Sequence, residues 1–486
     1  MKPPVLEDVR PQADEARELD PLTRLETLCD PGTLRLVRTT VEGPSKRSRP
    51  GDGVLVGSGC VGGRPVYCYA QDSSVVGGSL GASHADSIVR VMEMAARAGA
   101  PIVGFVESGG ARMDEGVAAL AGYGRIFRAQ VDLSGRVPQI MVVSGTSAGG
   151  GAYSPALADF VIMAPEASMF LTGPGVVNEV MGEDVSASEL GGPDVHARNG
   201  VSHMSARTDA HAVLLARELL GYLPVNQDAH PPLLPEGPPP SADPSATVPK
   251  SQPKVYDIRD VIAALVDDGR TLETNQLFAK NMVTALGRIE GRSVGFVYNQ
   301  PKWLGGVIDA DAAQKAARFV RTCDTFGIPL VVLMDTPGFL PGTRQEQAGV
   351  IRHGAKLLHA FAEATVPRMT VVLRKGYGGG FITMNSLDLG ADLMLAWPDA
   401  QIGVVGAAQA VKIIHRRDIA AADDPEATTA SLADSYEAEK LGAEVAAREG
   451  FVDELVEPAE TRERLSWALR SAGEGRGGRD RGNIPL

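Results

Sequence analysis

Apolar residues in this chain fall into two patterns that alternate along its length. Short β-branched runs stop abruptly in glycine-rich turns: PIVGFVESGGARMDEG from Pro101 and VPQIMVVSGTSAGGGAY from Val137, then IPLVVLMDTPGFLPGT from Ile328 and VPRMTVVLRKGYGGGF from Val366. Continuous apolar runs of this kind read as strands buried on both faces. Between them, apolar residues recur at helical spacing and predict helices over His84–Ala98, Ala310–Phe326 and Val350–Ala364. Strands alternating with helices imply an α/β architecture in layers.

The pattern occurs twice. In each half, an apolar run ends in a glycine turn, a helical stretch follows, and a Val-Pro opens a second apolar run that ends in consecutive glycines. From that valine to the first of those glycines is 12 residues both times, 137 to 149 and 366 to 378, which points to an internal duplication. A run from His230 to Lys254, rich in Pro and Ser and without hydrophobic periodicity, separates the halves and reads as an extended linker. The expected organisation is a domain over residues 15–236, a linker over 237–254 and a second domain over 255–478. A length of 486 residues suits two domains, each able to bury its own core.

Charge narrows the partners. A formal net charge of −13 argues against nucleic acid, whose binding needs clustered Lys and Arg, though a local basic pocket remains compatible with it. The four cysteines, Cys29, Cys60, Cys68 and Cys323, have no C-x-x-C spacing and read as reduced thiols. The polar N-terminal stretch has no apolar core for a signal peptide, and no apolar run approaches a membrane span, so a cytoplasmic protein is expected, with no membrane partner.

The chemistry lies in the glycine loops: Ser108-Gly109-Gly110-Ala111-Arg112, Ala148-Gly149-Gly150-Gly151, the turn from Pro337 to Gly342, and Gly378-Gly379-Gly380. A strand running into Gly-Gly and then a helix leaves the first helical N–H groups unpaired, beside the positive end of the helix dipole. That is the layout of an oxyanion hole. One such loop alone is more often a tight turn; equivalent loops in both halves suit a reaction that forms two oxyanions. Arg112 reads either as a phosphate contact or, more simply, as a loop-bracing ion pair. Arg374 and Lys375 read as anion contacts or solvated charges. There is no Walker loop, no H-E-x-x-H and no clustered metal-ligand set, so chemistry without a strong side-chain acid, base or metal is expected.

These stretches, with QDSSVVGGSLGASH from Gln71, DTPGFLPGTRQEQAGVIRHGAKLLHAFAEATVP from Asp335 and a GNIPL ending, resemble the β subunits of acetyl- and propionyl-CoA carboxylases. The resemblance runs from about Leu22 to Leu486. It implies two tandem crotonase-like domains of the ClpP/crotonase superfamily, the first binding acyl-CoA and the second carboxybiotin. It implies Gly149 and Gly150 as donors to the thioester enolate, and Gly379 and Gly380 as donors to the biotin ureido oxygen. Gly109, Gly110, Ala111 and Arg112 are carried over as substrate-binding residues. Ile382, two residues past the second pair, stands where the family reads acyl length, and an apolar residue there resembles members that accept short chains. The implied reaction moves a carboxyl group from carboxybiotin to acetyl- or propionyl-CoA, giving malonyl- or methylmalonyl-CoA, with the biotin nitrogen as base. No Met-Lys-Met biotin site and no ATP-grasp loop occur, so biotin carboxylase and carrier functions are expected on a partner α subunit. A homohexamer and a reduced leading helix before PLTRLETLCDPGTLR are also implied. The alternatives are a biotin-dependent decarboxylase subunit and a non-catalytic scaffold in a mixed hexamer. A single-domain hydratase or isomerase fits less well.

Overall fold

The computed structural model describes residues 18–240, 243–251, 254–473 and 482–484. They form two compact units that divide after Pro232, and residues 482–484 belong with the first. The strands of the first unit are β1 (Arg35–Val37), β2 (Val54–Val61), β3 (Arg64–Gln71), β4 (Ile102–Ser108), β5 (Gln139–Ala148), β6 (Phe160–Met163), β7 (Ser168–Phe170) and β8 (Met204–Ser205). Those of the second are β9 (Thr271–Thr274), β10 (Met282–Ile289), β11 (Arg292–Asn299), β12 (Leu330–Thr336), β13 (Arg368–Tyr377), β14 (Leu393–Ala396), β15 (Gln401–Gly403) and β16 (Glu454–Leu455).

Among the described residues each unit holds one eight-stranded sheet, and the strand orders match. They are β1-β2-β3-β4-β5-β6-β8 with β7 beside β5, and β9-β10-β11-β12-β13-β14-β16 with β15 beside β13. The first three strands of each pair antiparallel. From β3 and β11 onward the pairing is parallel. The duplication read from the sequence is therefore present strand for strand. Even the irregularity repeats: the ladder slips between Val106 and Ser108 in β4 and between Met334 and Thr336 in β12.

Seven helices matter here: α1 (Pro21–Leu28), α2 (Ala82–Ala98), α3 (Val117–Leu133), α4 (Gly150–Ala156), α5 (Ala310–Thr325), α6 (Val350–Glu363) and α7 (Gly378–Thr383). In the first unit, Ile88 and Met92 of α2 and Tyr123 and Ile126 of α3 pack with Tyr69, Ile102 and Met141 of the sheet. In the second, Val261, Ile262 and Leu265, from the helix Ile258–Leu265, pack with Val283, Phe296, Val331 and Val371. Helices over the strands explain why β4 and β12 read as unbroken apolar runs: every residue of β12, and all but Glu107 of β4, is buried.

Helix ends show what local sequence misses. α5 starts at Ala310 as expected, because Asp309 caps it and accepts from Ala312 N at 2.8 Å. α2 starts at Ala82 rather than His84. Its first amides are capped from far along the chain: Ala82 N donates to Glu115 Oε2 at 2.7 Å, and His84 N to Asp52 Oδ2 at 3.1 Å.

The Pro- and Ser-rich run has no helix or strand among its described residues, and it is tied to the second unit. Asp268 N donates to Pro238 O at 3.0 Å, and Arg374 Nη1 donates to Lys254 O at 2.8 Å and Ser251 O at 3.3 Å. The expectation about the leading helix falls on residues 1–17, outside the described residues. Among the described residues no helix is long and apolar enough to cross a membrane.

Candidate functional site

In the first unit, β4 and β5 both end on the same edge of the sheet, and their loops meet. The β4 loop is pinned by backbone bonds: Leu80 N donates to Gly110 O at 2.8 Å, Arg112 N to Leu80 O at 2.9 Å, and Gly109 N to Gly77 O at 3.1 Å. Gly110, at φ 97°, turns the chain so that its α-carbon faces the β5 loop; a β-carbon there would lie 3.7 Å from Ala148 O. The β5 loop turns at Gly149, whose φ of 57° and ψ of −124° suit only glycine.

The expectation for Gly149 needs correction. Its N–H donates to Phe170 O at 3.0 Å, continuing the β5–β7 ladder past Ala148, so that donor is already used within the sheet. The amides at the start of α4, where no intrahelical acceptor exists, belong to Gly150 and Gly151.

The second unit repeats the arrangement. Ile308 N donates to Gly338 O at 2.9 Å and Leu340 N to Ile308 O at 2.8 Å, the counterparts of the Leu80 bonds. Gly338, at φ 119°, presents its α-carbon to the end of β13; a β-carbon there would lie 3.5 Å from Tyr377 O. Gly378, at φ 53°, takes the place of Gly149, so Gly379 and Gly380 correspond to Gly150 and Gly151. The shared spacing of 12 residues from Val137 and Val366 already contained this register. By that register the sequence already matched Gly151 to Gly380.

The charges beside these loops are neutralised inside the protein. Arg112 is 1% exposed and holds Asp52 Oδ1 at 2.8 Å, Glu115 Oε1 at 2.9 Å and Ser79 O at 3.1 Å. Those carboxylates cap α2, so Arg112 ties the β4 loop to that helix and is a brace. Glu107 pairs with Arg24 at 3.2 Å. In the second unit Arg374, 4% exposed, pairs with Asp335 at 2.8 Å and lies over the Tyr256 ring, and Lys375 Nζ is 3.8 Å from Asp335. Arg374 is thus not solvated: Nε pairs with Asp335, Nη1 donates to the Pro- and Ser-rich run, and Nη2 is buried without a partner. His84 is fully buried, which pushes its pKa down to about 4 and keeps the ring neutral. Each carboxylate named here has a basic partner, which leaves the loops with backbone amides as their chemical resource. Ile382, on α7, is 50% exposed. Among the described residues no cluster of His, Cys, Asp or Glu could hold a metal ion.

The carboxyl transferase domain family model matches residues 15–477. The propionyl-CoA carboxylase β chain of Saccharopolyspora erythraea is 48% identical over 456 residues, covering 90% of this chain and 84% of its own. The methylmalonyl-CoA decarboxylase subunit α of Veillonella parvula is 46% identical over 452 residues, covering 91% and 87%. A crystal structure of the transcarboxylase 12S hexamer, with methylmalonyl-coenzyme A and methylmalonic acid bound, superposes with a TM-score of 0.92 at 44% identity, covering 98% of this chain and 94% of its own. Two repeated α/β units, paired glycine turns at corresponding strand ends and relatives of this closeness lead to one conclusion: the chain belongs to the carboxyl transferase family, as a carboxyltransferase with two tandem crotonase-like domains.

Proposed function

We propose that this carboxyltransferase serves a biotin-dependent acyl-CoA carboxylase and carboxylates the α-carbon of short acyl-CoAs, acetyl- and propionyl-CoA among them. The observation that carries the reading is the pair of matched turns, Gly150-Gly151 and Gly379-Gly380, each opening a helix with unpaired amides. In the first unit those amides receive the thioester oxygen as the enolate forms; in the second they receive the ureido oxygen of biotin. Amides fixed by the fold stabilise developing charge without reorganising when it appears.

The second turn is closely packed on its inner side. A β-carbon on Gly380 would lie 2.9 Å from Gly338 Cα, so the turn packs tightly behind, whereas one on Gly379 would meet only the Phe339 ring at 3.5 Å. Carboxybiotin, carried by a partner α subunit, supplies the carboxyl group and a basic nitrogen for the α-proton. This chain's part is to orient both oxygens and keep its ion-paired carboxylates out of the chemistry. The 12S relative supports a hexamer as the working assembly.

The test is transfer of labelled carboxyl from bicarbonate to acetyl-, propionyl- and butyryl-CoA, with a biotin carboxylase and a biotinylated carrier supplied. Graded incorporation into the three, acetyl or propionyl foremost, is expected; no incorporation into any would sink the reading. The decarboxylase relative favours a second reading, in which the chain removes the carboxyl group of methylmalonyl-CoA. Release of CO₂ from that substrate as the main activity, with negligible carboxylation, would establish it instead.

A further inference from the structure

We infer that Tyr123 is a positioning residue for carboxyl transfer, holding the first glycine turn and the neighbouring β4 loop in one fixed geometry. The inference rests on the functional reading above and goes beyond it, because no glycine-loop pattern points to an aromatic residue on α3.

Gly150 lies flat on the Tyr123 ring: a β-carbon at Gly150 would stand 2.7 Å from ring Cγ and Cδ2 and 2.9 Å from Cδ1. The ring is therefore the floor of the turn. Any side chain at position 150 would be driven off it, taking the amide with it. The phenol extends under the next residue, where a β-carbon on Gly151 would be 3.6 Å from the hydroxyl. That hydroxyl is 3.0 Å from Ser108 Oγ, and Ser108 Oγ accepts from Gly110 N at 3.3 Å. One side chain thus touches both loops of the site. Tyr123 is 6% exposed, and burial raises its phenol pKa, so it stays a neutral hydroxyl. Phe127 packs beside the ring, with centroids 5.9 Å apart.

The second unit also places a ring at its turn, one without a hydroxyl. Its turn rests on Phe339, whose ring would lie 3.5 and 3.6 Å from a β-carbon on Gly379. Phe339 comes from the loop after β12 itself, so ring and loop are covalently joined. In the first unit the ring arrives from a separate helix, and the hydroxyl bond to Ser108 supplies the missing connection. Misplacing a donor by about 1 Å is enough to lose on the order of 10²-fold in rate.

The full-length chain would be assayed for carboxyl transfer from methylmalonyl-CoA to biotinyl-lysine. Tyr123→Leu, which removes the floor and the tie, should lower kcat about tenfold or more and leave the KM for methylmalonyl-CoA within about threefold, because an interaction made only in the transition state acts on kcat. Tyr123→Phe, which keeps the floor, should recover most of that loss. A rise in KM with kcat intact, or wild-type kinetics in Tyr123→Leu, overturns the role. Should Tyr123→Leu fail to fold, Ser108→Ala breaks the same tie from the other side. A double variant of Ser108→Ala and Tyr123→Phe no slower than the slower single supports the tie, and losses that multiply overturn it. Absence of transfer by the wild-type chain with every acyl-CoA tried would sink the functional reading and this role with it, whereas transfer by wild type with an unaffected Tyr123→Leu sinks this role alone.

Discussion

At the scale of single residues, glycines next to one another in the sequence do different work. Gly149 provides a backbone turn that other residues cannot make, and its amide belongs to the sheet. Gly379 has no such φ, and a β-carbon on it would touch the Phe339 ring at 3.5 Å. Gly149→Ala should therefore act on stability, costing about 1–3 kcal/mol through backbone strain and lowering the Tm. Gly379→Val should press on the Phe339 ring, displace the donor amide and lower kcat by about 10²–10³. A Gly379→Val enzyme within a few-fold of wild type would remove that turn from the mechanism. Ile382 is judged by a ratio. As a half-exposed apolar residue on α7, it is proposed to wall the acyl end of the substrate. Ile382→Asp should shift the relative kcat/KM values for acetyl-, propionyl- and butyryl-CoA by about tenfold, since one methylene in such a wall is worth roughly 1–3 kcal/mol. Equal losses for all three would assign Ile382 to packing instead.

At the scale of elements, α5 carries a lysine into the interior. Lys315 is buried, and Nζ donates to Asn275 O at 2.9 Å and Phe278 O at 2.8 Å. Desolvation lowers its pKa from 10.5 to about 7, against the opposing pull of Glu273. Between those values the unfolded chain binds a proton that the folded one does not, so this group makes stability rise with pH from about 7 toward 10. Replacing Lys315 with Met removes the titration along with two hydrogen bonds. The Tm advantage of wild type over Lys315→Met should therefore widen between pH 7 and pH 9.5. A gap that is constant or narrows would show that Lys315 keeps its charge when folded. The same helix shows how much of an element is legible. Asp309 caps it from the adjacent position, and its start was readable; α2 is capped by Asp52 and Glu115, and its start was not.

At the scale of the whole molecule, each unit leaves large apolar side chains uncovered near its glycine turns. Val117 is 80% exposed at the start of α3 in the first unit, and Val404 is 76% exposed just after β15 in the second. Single exposed apolar residues are common; covering these two is one job the proposed hexamer would do. Val117→Asp and Val404→Asp should each leave the chain folded by circular dichroism and reduce its mass in sedimentation from hexamer toward smaller species. Hexamers persisting undiminished in both variants would place the subunit contacts elsewhere.

The amino-acid sequence alone determined the α/β class, the duplication, the family and the four glycine loops, because each is written in local pattern: runs of buried strand residues, helical spacing and glycines at strand ends. Even the matching of Gly150 and Gly151 to Gly379 and Gly380 lay in the spacing from Val137 and Val366. What only the tertiary structure decided is which partner each polar group finds. Gly149 N could have faced a ligand until Phe170 O was seen to accept from it. Arg112 and Arg374 could have met anions until Asp52, Glu115 and Asp335 were found beside them. Tyr123 could have been one more core aromatic until Gly150 was found lying on its ring. The physical reason is common to all of them. A strand or a turn follows from neighbours in sequence, whereas a hydrogen bond or an ion pair depends on which distant segment the fold brings within about 3 Å.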